Sequence, residues 1–186
     1  MTKVSSSTVS SLWARAGAMF LIRPAESSPD LERLLIETAR HSPENSRLFM
    51  MAATWLSRYG NLVSSDRLGK LIEEEKDQNL SAVLGLLLDE VKALSGSKHF
   101  DDVIARCRPA TEAQPLFKIE QRNPTLRKLA ERHASPLSRK WNLWAEPFEP
   151  KYNAIRPKSW IAAMNPGFGI GTDQIAPNEE HSKTGV

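Results

Sequence analysis

Residues 42–96 read SPENSRLFMMAATWLSRYGNLVSSDRLGKLIEEEKDQNLSAVLGLLLDEVKALSG. Apolar residues recur there at spacings of three and four, which is the period of an amphipathic helix. The pattern predicts one helix that ends at Gly60, a second that is capped by Ser64, and a third that ends at Gly96. The third carries the widest apolar face, made of Leu80, Val83, Leu84, Leu87, Leu88, Val91 and Leu94. This stretch therefore predicts a helical bundle.

Ser-Pro and Asn-Pro pairs predict further helix starts, because Ser and Asn cap helices well and Pro fits the first helical position. Such pairs begin predicted helices at Ser28, Ser42, Asn123 and Ser135, and the last of these is expected to run through Trp144. A shorter helix is predicted from Phe100 to Cys107, and strand character is clear only in Leu116-Phe117-Lys118-Ile119. The fold class is thus mainly α, a compact multi-helix domain of about six or seven helices with a minor β element.

The chain divides into four parts by composition. Residues 1–26 are Ser-rich and are predicted to be a flexible N-terminal arm, and residues 27–110 are predicted to be the helical core. Residues 111–164 are predicted to be a basic helical part that ends in a Trp-rich strap, which Pro147, Pro150 and Pro157 keep extended. Residues 165–186 are Gly- and Pro-rich and are predicted to be a disordered tail.

Charge is segregated along the chain although the net charge is only +3. Residues 26–112 hold 11 Lys or Arg against 15 Asp or Glu, whereas residues 118–158 hold ten against four. A single cysteine, Cys107, rules out an internal disulfide framework and favours a reducing compartment, so a cytoplasmic location is expected. No apolar run of 18 residues is present, so no membrane-spanning helix is expected.

The phrase from Tyr59 to Leu68, with a short turn after one helix and a Ser-capped helix that brings a leucine inward, resembles the winged helix-turn-helix family. The resemblance covers residues 45–95 and implies a small, non-enzymatic DNA-binding regulator, of which an antitoxin-like protein is one form. The chain departs from the family in two ways. The segment after Gly96 has the pattern of a helix rather than a wing. The third helix is also expected to expose a surface that is not basic, made of Asn79, Ser81, Ala82, Gly85, Asp89, Glu90 and Lys92.

The basic part offers a second candidate for nucleic-acid binding. Its cations recur near helical spacings and could neutralise phosphates, while Trp141 or Trp144 could stack on exposed bases. The residues predicted to bind nucleic acid are Lys118, Arg122, Arg127, Lys128, Arg132, Arg139 and Lys140. Two alternatives stay open: the cations are simply solvated and the tryptophans fill a core, or the same surface binds an acidic protein.

The aromatic residues of the strap suggest a different class of function, a helical protein-interaction module or adaptor without nucleic acid. Such a segment must lie across its own helical body or in a groove of another chain, because exposed aromatics favour association. The residues predicted to bind a partner in the second case are Trp141, Trp144, Phe148, Tyr152 and Trp160. A homo-oligomer is compatible with either function.

No catalytic, metal or cofactor site is predicted. The four histidines, His41, His99, His133 and His181, have no metal-ligand spacing. Cys107 lies on the apolar face of a predicted helix, where an inert core thiol is expected. The glycines of residues 167–171 follow no strand and open no helix, so they do not form a phosphate-binding loop.

Overall fold

The computed structural model describes residues 5–16 and 29–148, and these form nine α-helices, one 3-10 turn and two short strands. The helices are α1 Ser6–Arg15, α2 Leu31–His41, α3 Ser46–Tyr59, α4 Ser65–Glu74, α5 Gln78–Ser95, α6 Asp101–Arg106, α7 Lys118–Arg122, α8 Pro124–His133 and α9 Pro136–Lys140. The strands are β1 Gln114–Pro115 and β2 Leu143–Trp144, and the 3-10 turn is Gly60–Leu62. The predicted mainly helical, compact multi-helix fold with a minor β element is confirmed.

Helix α5 is the centre of the core, where it packs against α2, α3, α6 and α9. Asp77 caps its N-terminus by accepting the backbone N–H groups of Asn79 and Leu80, and Gly96 ends it in the left-handed conformation with φ 68°. Every residue from 80 to 91 is buried, including Ser81, Asp89 and Glu90. The expectation that α5 exposes Ser81, Ala82, Gly85, Asp89 and Glu90 is therefore wrong, because neighbouring elements cover all sides of the helix.

The turn between α3 and α4 confirms two predicted helix ends. Helix α3 ends at Tyr59 with Gly60 as its C-cap, as predicted. The Ser64 hydroxyl accepts the N–H of Arg67 and begins α4, as predicted. Gly60 has the right-handed φ −57° and ψ −28°, so the chain continues into the 3-10 turn there instead of reversing. A Cβ atom at Gly60 would lie 3.0 Å from the Phe100 ring, so close packing explains the glycine.

Two helices begin later than the Ser-Pro pairs predicted. The N-cap of α2 is Asp30, whose carboxylate accepts the N–H of Arg33, and the N-cap of α3 is Asn45. An Asp or Asn side chain that reaches the N–H groups of the first turn provides an equally good cap, so the Ser-Pro pair is only one of several local signals.

The flexible arm predicted for residues 1–26 is wrong for residues 6–15, which form α1. Val9 and Trp13 of this helix are fully buried, and the Trp13 indole N–H donates to Thr38 Oγ1 at 2.6 Å. The Trp13 and Trp55 rings meet edge to face with centroids 5.4 Å apart, and the Trp55 N–H donates to the Ala16 carbonyl at 2.7 Å. Burial of the large Trp13 side chain holds α1 against the body, although the Ser-rich composition of this segment favours a flexible arm. Residues 17–28 lie outside the described residues.

The C-terminal part differs from its prediction in the placement of strands. Strand β1 precedes the predicted Leu116–Ile119 strand and pairs in parallel with β2, while Lys118 and Ile119 belong to α7. Helix α9 ends at Lys140, and Asn142 then adopts the positive φ of 54°. Trp144 therefore lies on a strand and not on the predicted helix. Tertiary hydrogen bonds decide this, since Leu116 N–H donates to the Trp144 carbonyl and Gln114 N–H to that of Asn142.

Candidate nucleic-acid interface

Helices α7 and α8 form a hairpin that is attached to the body by little buried surface. The N-terminus of α8 is capped by Asn123, which accepts the N–H groups of Thr125 and Leu126 at 3.0 and 3.2 Å. Ala130 is the only buried residue of α8, and α7 has none. The hairpin also exposes two large apolar side chains, Ile119 at 70% and Leu129 at 46%. Most of its surface is therefore free to meet another molecule.

Three of the seven cations predicted to bind nucleic acid have structural partners. Lys118 Nζ lies 2.5 Å from the Glu44 carboxylate, and this ion pair lowers the pKa of Glu44. Lys140 Nζ lies 2.6 Å from Asp89, which is buried under it on α5. Arg139 donates to the carbonyls of Glu131 and Ala134, so it caps the C-terminus of α8. These three cations are already used to hold the C-terminal part in place.

The other four cations, Arg122, Arg127, Lys128 and Arg132, are all exposed and form what we call the basic patch. None of the four makes an ion pair with a carboxylate of the described residues. Glu131 is the only acidic residue of α8. The basic patch is thus a surface of unneutralised positive charge on a helical hairpin.

The two tryptophans of this part have opposite environments. Trp144 is half-buried on β2, and the guanidinium carbon of Arg127 lies 5.7 Å from its ring centroid. Trp144 therefore adjoins the basic patch and leaves part of its ring accessible. Trp141 is 3% exposed, its N–H donates to Asp89 at 2.8 Å, and its ring covers Gly85. The prediction that Trp141 contacts a partner or a base is wrong, because this side chain belongs to the core.

Among the remaining predicted partner-binding residues, Phe148 is half-buried at the rim of a cavity, described below. Tyr152 and Trp160 lie outside the described residues, as does the predicted tail from residue 165. Sequence reasoning missed Ile119 and Leu129 as exposed apolar residues. It also missed Glu90 and Glu120, because no local signal distinguishes a carboxylate over a cavity from one in water.

Cysteine thiols and histidine rings are groups that often perform catalysis, and here Cys107 is buried and the His99 ring contacts a backbone carbonyl. Burial raises the pKa of the Cys107 thiol to about 12, so the thiolate is scarce at neutral pH. The ring of His99 contacts the Val63 carbonyl at 2.8 Å through Nε2. Within residues 5–16 and 29–148, no group of three or more His, Cys, Asp or Glu residues is arranged to hold a metal ion.

No protein-family model matches the chain, and neither the curated proteins nor the solved structures include a significant match to it. No helix in the described residues has the length and apolar character needed to cross a bilayer.

Proposed function

We propose that this protein is a small, non-enzymatic DNA-binding regulator that contacts the phosphate backbone through the basic patch. The observation that carries the proposal is the set of four exposed cations on α7 and α8 without carboxylate partners in the described residues. Phosphate contacts by Lys and Arg supply most of the affinity of a protein for DNA, and they release bound counterions. Trp144, stacked beside Arg127, adds an aromatic face at the edge of the same surface.

In this proposal α3, α4 and α5 keep the helix order of a winged helix-turn-helix domain, but the DNA contact lies elsewhere. Residues 80–91 of α5 are buried, so they offer no surface to a groove of DNA. The acids of α4 also oppose such a contact, although Glu73 and Glu75 are paired with Arg106 and Arg40. The hairpin is the part of the described structure where exposed positive charge is concentrated.

A second candidate function, a protein-interaction module, is favoured by a different observation. Ile119 and Leu129 expose apolar surface on the same hairpin as the basic patch. An acidic protein with an apolar stripe would be complementary to both features. The two functions can be told apart by experiment. A DNA-binding regulator binds nucleic acid with an affinity that falls as salt rises, whereas an interaction module does not bind nucleic acid.

The test is binding to random-sequence duplex DNA at several salt concentrations, with Arg127→Ala, Lys128→Ala and Arg132→Ala combined in one variant. Loss of three phosphate contacts should reduce the slope of log K against log salt by about 3 and weaken binding by at least about tenfold at low salt. Each exposed substitution should change the free energy of unfolding by no more than about 0.5 kcal/mol, so the fold is preserved.

A matched control removes three exposed lysines from the acidic body, with Lys70→Ala, Lys76→Ala and Lys98→Ala combined. This variant has the same net charge as the patch variant, so a general effect of charge would appear in both. Equal affinity of the two variants would reject the basic patch as the interface. Absence of DNA binding by the wild-type protein, with capture of an acidic partner, would establish the interaction module instead.

A further inference from the structure

A cavity of about 580 Å³ opens to solvent between α3, the end of α5, the α7–α8 hairpin and the chain after β2. Its volume lies in the range that encloses ligand groups in proteins. Its walls are mainly apolar, and they include Phe49, Leu86, Leu116, Phe117 and Phe148. Met50, at its margin, is 37% exposed. The cavity can therefore accept a large apolar side chain.

Two carboxyl groups, on different helices, line the cavity. Glu90 of α5 lines it, is 7% exposed, and has no hydrogen bond or ion pair among the contacts that the described structure shows. Glu120 of α7 also lines it, and its Oε2 atom is buried without a hydrogen-bond partner. The Glu120 carboxylate does have a backbone hydrogen bond at Phe117, so only one of its oxygens lacks a partner. An unpaired Glu90 and a half-paired Glu120 against apolar walls are costly, because a buried charge is normally compensated by a partner.

The charge state of these groups follows from their surroundings. Burial raises the pKa of Glu90 to about 7, and the adjacent Asp89 carboxylate adds to the shift. Burial and then Glu146 raise the pKa of Glu120. Glu146 itself lies 3.4 Å from His133 Nδ1, at the same rim. A cation entering the cavity would stabilise the ionised form of both carboxylates, so the complementary ligand combines an ammonium or guanidinium group with an aromatic or aliphatic group.

The chain itself provides such a ligand immediately beyond the described residues. Residues 150–172 contain Lys151, Arg156 and Lys158 and no acidic residue, and aromatic or aliphatic residues alternate with these cations: Tyr152, Ile155 and Trp160. Phe148 lines the cavity, and Lys151 follows it by three residues. Three residues of extended chain span at most about 10 Å, so Lys151 is tethered close to the cavity. A short tether gives this segment a millimolar effective concentration at the cavity, which favours it over a free competitor.

We propose that residues 149–164 of the same chain, here called the C-terminal segment, dock in this cavity with Lys or Arg groups at Glu90 and at Glu120 and an apolar side chain against the aromatic wall. The docked segment gives a partner to Glu90 and to the unpaired oxygen of Glu120. It also covers the apolar wall of the cavity next to Phe148. This inference does not depend on nucleic-acid binding.

The first experiment locates the segment in the full-length protein by cross-linking. One variant carries Met50→Cys at the cavity margin with Ala154→Cys in the segment, and its control carries Lys70→Cys on α4 with the same Ala154→Cys. Helix α4 contributes no residue to the cavity. A short bis-maleimide should join residues 50 and 154 within one chain at least about tenfold faster than residues 70 and 154, because docking raises the local concentration.

Two results would overturn the proposal. Equal cross-linking rates in the two variants would show that the segment has no preference for the cavity. Cross-links that join two chains, with a dimer in size-exclusion light scattering, would assign the cavity to a second copy instead. Adding Glu90→Gln and Glu120→Gln to the first variant should abolish its rate advantage, and an undiminished advantage would reject the ionic contact.

The second experiment is a double-mutant cycle of urea unfolding at pH 8, between Glu90→Gln and the combined Lys151→Gln, Arg156→Gln and Lys158→Gln. Without a cation, the raised pKa of Glu90 makes the free energy of unfolding depend on pH. The contribution of Glu90 to this free energy is fully present below about pH 4.5 and is lost progressively up to about pH 7, so the loss is essentially complete at pH 8. Glu90→Gln should therefore raise stability when the bases are absent and raise it less, or lower it, when they are present.

The expected coupling is about tenfold in the unfolding equilibrium constant. Glu74→Gln serves as the control, because Glu74 is an exposed acid on α4 that has no contact with the cavity. Its effect should be additive with loss of the bases. Additivity for Glu90 as well would contradict the docking proposal, and the cross-linking result decides the matter if a variant with the bases removed does not fold.

Discussion

Helices α5 and α8 begin in the same way, with an Asp77 or Asn123 side chain that accepts two backbone N–H groups. Beyond that point they differ in every respect that matters for function. Residues 80–91 of α5 are all buried, whereas α8 buries only Ala130. The caps determine where both helices start, and the neighbouring elements determine what each helix can do. The first helix holds the core together, and the second presents charge to solvent.

The same contrast holds for the polar groups of the two regions. In the body, buried polar side chains join helices: Glu32 of α2 accepts the Ser64 N–H at 2.7 Å and Arg67 Nη1 at 2.9 Å, so it ties α2 to the start of α4. In the C-terminal part, the cations of the basic patch have no such partners in the described residues. The body uses its charges to specify packing, whereas the four cations of the basic patch are exposed without a carboxylate partner in the described residues.

The largest effect is expected where the two regions meet, at Trp141. Trp141→Ala should lower the free energy of unfolding by about 3–5 kcal/mol, because it empties a core position and leaves Asp89 without one of its donors. Trp144→Ala should cost only about 1–2 kcal/mol, since half-buried side chains lose less on truncation. Urea unfolding of both variants measures the difference.

Gly85 tests the same contact from the other side. A Cβ atom there would approach the Trp141 ring to 2.4 Å, so Gly85→Ala must displace the ring or the helix. An unchanged midpoint of unfolding in Gly85→Ala would contradict the packing of Trp141 on α5. It would also weaken the distinction between the two tryptophans.

A smaller effect is expected at Glu32, within the body. Glu32→Gln should lower the free energy of unfolding by about 1–2 kcal/mol, because a charge-assisted contact with Arg67 is replaced by a neutral one. Glu74→Gln, an exposed change of the same kind on α4, should stay within about 0.5 kcal/mol. If the two variants unfold alike, the polar link between α2 and α4 does not contribute to stability.

The smallest effect is expected at the end of α8. Arg139→Ala removes two donors from the last carbonyls of that helix and should cost about 0.5–1 kcal/mol. Arg132→Ala, from the basic patch, should cost less. Hydrogen exchange of the last turn of α8 detects the change more directly than global unfolding does. Faster exchange in both variants would mean that the patch also supports the helix, and that the division between structural and free cations is wrong.

Local signals in the sequence predicted a large part of the fold. The Ser64 cap, the Gly96 stop and the Asn123-Pro124 start all appear where they were expected, because each depends on a few neighbouring backbone groups. The mainly helical class followed from the same signals and from apolar spacing. The short strand pair could not be placed in this way, since β1 and β2 pair Gln114 with Leu143 and Pro115 with Trp144, residues that are 29 apart in sequence.

The candidate interface was predictable only in composition. The sequence showed seven cations between residues 118 and 140, but not that Lys118, Arg139 and Lys140 have structural partners. Those partners are Glu44 in the loop before α3, Asp89 on α5, and backbone carbonyls at the end of α8. The first two are distant in sequence, and the third is reached only because α9 folds back beside the end of α8. The burial of α1 was missed for the same reason, since Trp13 meets Thr38 and Trp55 only in the folded chain.

The sequence by itself determined seven helices, α2 to α6 with α8 and α9, several of their ends, and the separation of an acidic body from a basic C-terminal part. These properties depend on backbone hydrogen bonding within a few residues and on composition. Only the tertiary structure decided which cations stay free, that Trp141 is core while Trp144 is accessible, and that Glu90 and Glu120 face an apolar cavity. The physical reason is that burial and charge pairing depend on which surfaces meet in space, and residues distant along the chain decide that.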